Sequence, residues 1–257
     1  MSGEPKTHRE PADRITIACF TYMARVMEAR DFDRLFFGIV ASSTSLSKGL
    51  TPESRAEFEA ALAQYRSSSD RFTPRHQFVN EILLTHAVET FDLYLLHILR
   101  LIYSECPELV IEEARLETEF PKSAFDSPND FFLFLAEKKL QQLGYKGLAQ
   151  LRSYFEKKLG VVLFKDETIF EDAQLASQVR NLITHNDARV NEIFLKRTSG
   201  LKITPAPEIG LRYVVSTEWR HHISTSLDSI VFDFDAIAIQ QFRLPSLNRL
   251  TSFLSRQ

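Results

Sequence analysis

Cysteine is nearly absent: Cys19 and Cys106 are the only two in 257 residues. Their positions carry no metal-ligand or redox spacing and suggest no disulfide framework, so buried, inert thiols in a reducing cytosol are expected. Glycine (8 residues) and proline (10) are sparse, which argues against a turn-rich β protein and favours long helices. Charge of one sign is not in excess either. The formal net charge is −3 and the isoelectric point about 6.2, so a broadly cationic nucleic-acid binder is excluded and any RNA contact needs a local patch. Phosphate-binding glycine loops, nucleophile elbows and zinc-protease helix motifs are all missing; no metal and no cofactor is expected. The N-terminal MSGEPKTHREPADR lacks the apolar core of a signal peptide. The most apolar run, LYLLHILRLIY (93–103), is too short for a membrane span and contains His97 and Arg100. A cytoplasmic protein with no membrane partner is expected.

What is present is phenylalanine (21 residues) and helical periodicity. Residues 1–12 read as a disordered tail. A helix is predicted over about 14–41, ended by ASSTSLSKG, and a second from Thr51, an N-cap ahead of Pro52 and an acidic first turn. Together, 13–70 read as an N-terminal helical extension, and 71–257 as the main helical domain. The strongest helix, about 75–104, is apolar on nearly every side, with Leu84, Val88, Phe91, Leu95 and Ile98 on one face and Ile82, Leu93 and Leu96 on another. Such a helix is central to a bundle, or shared with a second subunit. Further helices follow over 128–144, 148–160 (with Gly160 as its C-cap), 166–186 and 217–242. Between the last two, GLKITPAPEIGLRYVVS carries β-prone runs around a Pro/Gly turn, predicting a short β-hairpin-like excursion near 200–216. The fold class expected is all-α, a helical bundle.

The stretch LASQVRNLITHNDARV, 175–190, places a cation where a core residue is expected. At about 100° per residue, Ile169, Ala173, Ala176, Val179 and Ile183 share one arc, and Arg180 falls inside it. A guanidinium buried without an anion costs several kcal/mol, so Arg180 must meet a carboxylate, reach a cleft or snorkel out. Asn181 and His185 share a flank four residues apart, and Asn186 with Asp187 are helix-ending residues. Arg180 and His185 differ by about 140° on an ideal helix and converge only if the helix frays or the arginine reaches round. Glu89, placed among Ile82, Leu93 and Leu96, is the carboxylate expected to pair with Arg180 and orient it; a plain helix-to-helix ion pair is the equally simple alternative.

Arg180-Asn181-Leu182-Ile183-Thr184-His185 resembles the arginine–histidine motif of the HEPN (higher eukaryotes and prokaryotes nucleotide-binding) superfamily, including the polar residue after the arginine. The same offset occurs at Arg71–His76, where Pro74 disrupts a helix, and that match is read as a decoy. The resemblance covers about fifteen specific positions, and about 75–242 as an architecture. It implies a HEPN-like bundle that cleaves RNA without metal at a composite site in a homodimer. Arg180, His185 and Asn181 would be catalytic, with Glu89 and Asn186 supporting. Imidazole, with an ordinary pKa near 6.5, suits proton transfer from the attacking 2′-hydroxyl or to the leaving 5′-oxygen. The arginine fork suits a phosphate whose charge grows in the transition state. One histidine does not readily serve as both base and acid, which agrees with two copies. The resemblance further implies a toxin or antiphage defence role, with a possible antitoxin or defence-system partner. The alternative is a non-catalytic HEPN-like RNA- or nucleotide-binding or scaffold protein in which Arg180 is a structural ion-pair partner. His221-His222 beside Trp219 point about 100° apart with no third ligand near, which argues against a metal site.

Overall fold

The structure, a computed structural model, describes residues 14–46, 51–67, 75–110, 127–144, 146–203 and 206–248. Expectations for the tail at 1–12 and for Arg71–Pro74 of the decoy fall outside the described residues. The fold is all-α. In chain order the described elements are β1 (Arg14–Ile15), α1 (Ile17–Leu46), α2 (Pro52–Ser67), α3 (Arg75–Glu105), α4 (Pro128–Gly144), α5 (Leu148–Lys158), α6 (Glu167–Asn186), α7 (Glu192–Thr198), α8 (Thr217–Phe242) and β2 (Leu247–Asn248). The chain forms two interleaved compact units. One draws on Met1–Met23, Thr90–Gln174 and Ser226–Gln257, the other on Ala24–Glu89 and Leu175–Thr225.

Local chemistry explains the helix ends. Thr51 Oγ1 accepts from the Ser54 amide and Ser127 Oγ from the Asp130 amide, so each caps the helix that follows. Gly160, at φ +67°, closes α5: the Val161 amide reaches back six residues to the Phe155 carbonyl at 3.0 Å. Only a residue at ease with positive φ closes a helix in this way without strain.

The first unit is built on aromatic packing. Phe155 meets Phe234 edge-on at 4.9 Å between centroids, and Phe164 meets Phe170 at 5.1 Å. Around them Tyr94, Leu95, Ile98, Ile102 and Leu143 are fully buried. A polar tie runs through this core. Asp235, 1% exposed, accepts from the Thr16 amide at 2.9 Å and from the hydroxyls of Thr16 and Tyr94. β1 and β2 pair antiparallel, Arg14 opposite Asn248 and Ile15 opposite Leu247, which holds the segment leading into α1. Cys19 is buried and Cys106 half-buried, both as free thiols.

The second unit packs Val79, Leu83, Leu84 and Val88 of α3 with Ala176, Val179 and Leu182 of α6, Phe194 of α7 and Ile223 of α8 in its core. Ile82, expected on an apolar flank, is 44% exposed. The excursion at 200–216 is not a local hairpin among its described residues. Its extended part pairs backwards instead: Arg212 bridges Arg189, and the Tyr213 amide donates to the Ala188 carbonyl at 2.8 Å. The β-prone residues satisfy their backbone against the chain leaving α6 rather than against each other.

The helix Gln77–Glu105 is long and apolar enough by composition to cross a membrane, at a mean hydropathy of 1.4 over its most apolar window. It extends well beyond the apolar run at 93–103. Half of that window is buried inside the protein, as in a core helix of a globular chain.

Candidate active site

The motif occupies the last two turns of α6 in the second unit. Phe170, Ala173, Leu175, Ala176, Val179 and Leu182 are buried along this helix. This set is broader than the predicted arc, and Ile169 and Ile183 are only half-buried. Arg180 lies within that arc and is half-buried. Its Nε–H is buried with no acceptor among the described residues, although the residue has other interactions. Asn181 is half-buried and His185 is exposed to solvent. Thr184 Oγ1 donates to the Arg180 carbonyl at 2.9 Å, a bond one turn back along the helix.

The helix does not fray before His185. It continues to Asn186 and ends in a well-made turn: the Ala188 amide reaches back to the Leu182 carbonyl at 3.1 Å. That bond spans six residues, one more than the bond of a Schellman motif, with Asp187 in the left-handed position usually given to glycine after a helix. Asp187 and Ala188 have φ of 49° and 55°. Left-handed backbone costs an L-residue about 1–2 kcal/mol, and aspartate tolerates it better than alanine does. Asn186 Nδ2 donates to the Arg189 carbonyl, and the Arg189 amide donates back to the Asn186 carbonyl. Asn186 is therefore a turn former. With the helix intact, Arg180 and His185 point about 140° apart.

Glu89 is corrected. It is exposed, not held in an apolar flank, and forms no ion pair with Arg180 among the described residues. The buried carboxylate of α3 lies two turns earlier, at Glu81, 3% exposed. Arg212 grips it with both ends of its fork, Nε to Oε1 at 3.1 Å and Nη2 to Oε2 at 2.8 Å. Gln77 Nε2 adds a third donor at 2.7 Å. The remaining nitrogen of Arg212, Nη1, reaches Asp187 Oδ1 at 3.0 Å. The hydrogen bonds it donates to Glu81 hold the Arg212 guanidinium above its ordinary pKa against the opposing effect of burial, with Asp187 adding to the rise. Gln77 also ties the extended segment, donating to the Tyr213 carbonyl and accepting from the Val215 amide.

A second buried cation lies in the same unit. Arg220, 4% exposed, donates from Nε to Asn80 at 2.9 Å and from Nη2 to both Asp33 oxygens at 3.1 Å. His221 Nε2 is 3.2 Å from the same nitrogen and 3.8 Å from Asp33 Oδ2.

Sequence reasoning missed both networks, yet the signal was the one applied to Arg180. Gln77, Glu81, Leu84 and Val88 recur at steps of four and three, so a carboxylate and an amide interrupt a buried stripe. The pairing of Arg212 had no such signal, because it depends on how the extended segment returns.

No protein-family model, curated protein or solved structure matches this chain.

Proposed function

We propose that this chain is a HEPN-type endoribonuclease that cleaves RNA by 2′-hydroxyl attack without needing a metal, at a site completed by a second copy. The observation that carries the reading is the form of the motif. Arg180 is half-buried within the core-facing arc of α6, and His185 is presented to solvent on the last turn of the same helix. Imidazole can take the proton from the attacking hydroxyl or return one to the leaving oxygen. Arginine can hold the charge that develops on the phosphate. Two such motifs facing one phosphate supply a base and an acid, and they ease the 140° divergence within one chain. Asn181, whose side chain makes no hydrogen bond among the described residues, is available to hold a substrate oxygen. A cytoplasmic setting belongs to the same reading, and a role as a toxin or defence effector with its own partner rests on resemblance.

A second reading is favoured by the burial and engagement of Arg180: a non-catalytic HEPN-like RNA-binding or scaffold protein in which that arginine is structural. RNA cleavage in a chelating buffer, by wild type, Arg180→Ala and His185→Ala, separates the two. The nuclease reading expects cleavage by wild type and loss in both variants, with His185→Ala keeping stability within about 0.5 kcal/mol because the side chain is exposed. Cleavage that persists in both variants, or a well-folded wild type without any, sinks it.

A further inference from the structure

The ion network of Arg212 ends on the turn that carries His185 out of its helix. Glu81 is buried in α3 and is met by Arg212 and Gln77. Asp187 is two residues past His185, in left-handed backbone, and its carboxylate is 71% exposed. Water alone would satisfy a carboxylate so exposed, yet Arg212 Nη1 binds it at 3.0 Å. Arg189 Nε stands 4.0 Å from its other oxygen. Backbone pairing explains the chain only from Ala188 onward: Tyr213 donates to Ala188, and Val190 to Leu211. Asn186 and Arg189 bond each other across the turn, and the side chain of Asp187 is the link that ties that turn to Arg212.

We propose that Arg212 is a positioning residue: by spanning Glu81 and Asp187 it holds the left-handed turn closing α6 and fixes the direction in which His185 leaves the helix. A planar fork is suited to this. Two of its nitrogens face one carboxylate while the third is directed at another, which an ammonium cannot reproduce. The consequence for catalysis rests on the nuclease reading, while the clamp itself rests on geometry.

Asp187→Gly gives the sharpest test, because glycine is at ease at φ 49° while the clamp is removed. A merely structural turn predicts unchanged or higher stability and unchanged activity. Positioning predicts that kcat falls between about tenfold and a hundredfold with KM nearly unchanged, as for a misplaced catalytic group. Asp187→Asn, which keeps an acceptor for Arg212 and tolerates the same backbone, should retain most of kcat. Arg212→Lys keeps a cation beside Glu81, so the fold survives, and should behave as Asp187→Gly does. Amide exchange supplies the readout independent of activity. In Asp187→Gly the Ala188 amide should exchange faster by about tenfold or more, while Val179 in the same helix is unchanged. Wild-type kcat in Asp187→Gly overturns the proposal and leaves the nuclease reading intact. Equal losses in Asp187→Asn and Asp187→Gly also overturn it, since charge rather than position is then responsible. A wild type that cleaves no RNA removes the nuclease reading, and the exchange of Ala188 alone then upholds or overturns the clamp.

Discussion

Removing the carboxylate of Asp33 should destabilise the second unit chiefly because it leaves a buried cation without its anion. Arg220 has a side chain 5% exposed, against 12% for Asp33. Its Nη2 gives both bonds to Asp33, and its Nε bond to Asn80 survives the change. Breaking a buried pair from one side costs about 3–5 kcal/mol. The surviving Asn80 bond and the partly open His221 side place Asp33→Ala near the lower end, about 3 kcal/mol. Asp33→Asn retains a neutral acceptor and should cost about 1.5 kcal/mol, the worth of one hydrogen bond to a charged group. In the double variant Asp33→Leu, Arg220→Met, both charges leave together, and most of the stability should be recovered. Urea unfolding reads this well, because Trp219 is the chain's single tryptophan and adjoins Arg220, so its fluorescence follows this unit. Far-ultraviolet circular dichroism follows all the helices. An Asp33→Ala protein within about 0.5 kcal/mol of wild type would refute the reasoning, since that is the range of an ordinary surface change. So would a double variant no more stable than the worse single one.

Other consequences are simpler to read. Burial pushes the Tyr213 phenol up to about 12 from its ordinary 10.0. Its neutral form is favoured on folding, so that stability is whole below pH 10, falls as pH rises towards 12, and amounts to less than about 3 kcal/mol for this half-buried side chain. Tyr213→Phe should flatten that limb of the pH–stability curve. In the first unit, Asp235→Ala strands the Thr16 amide and hydroxyl as donors, while the Tyr94 phenol keeps the Val231 carbonyl; it should cost about 3 kcal/mol by denaturant unfolding. Asn191 caps α7 by accepting from the Phe194 amide at 2.8 Å, and Asn191→Ala should cost about 1 kcal/mol. The Arg100 hydrogen bond lowers the Glu137 pKa, so that pair helps at pH above the usual carboxylate range and fades as pH falls through it. Both side chains are half exposed, so Glu137→Gln should change stability by less than about 0.5 kcal/mol, and less still in high salt.

The helices were legible because their signals are local. Thr51 and Ser127 as caps, Gly160 past the end of α5, and the apolar recurrence through Ile223, Leu227, Ile230 and Phe234 each depend on neighbours within one turn or two. The excursion was misread for the opposite reason. Whether residues 211–213 pair with 202–203 or with 188–190 is decided by tertiary position, and both pairings suit the same β-prone composition. The division into interleaved units was illegible too, since α3, α6 and α8 each contribute to both and no linker marks the change.

The candidate site divides along the same line. Arg180 inside an apolar arc and His185 at its exposed end follow from periodicity alone. The groups around them do not, and Glu89 shows why. Glu89 is selected by asking which carboxylate shares a helix flank with apolar side chains, and on a helix greasy all round that test has little power. Asking which polar residues interrupt the stripe that must be buried selects Gln77 and Glu81 instead, the two that carry Arg212 and the extended segment. A buried carboxylate with three side-chain hydrogen bonds is harder to accommodate than a leucine of similar size, so its presence needs a reason beyond stability. Here its partner extends to Asp187, two residues past His185, and that link makes the turn after the motif as informative as the motif itself.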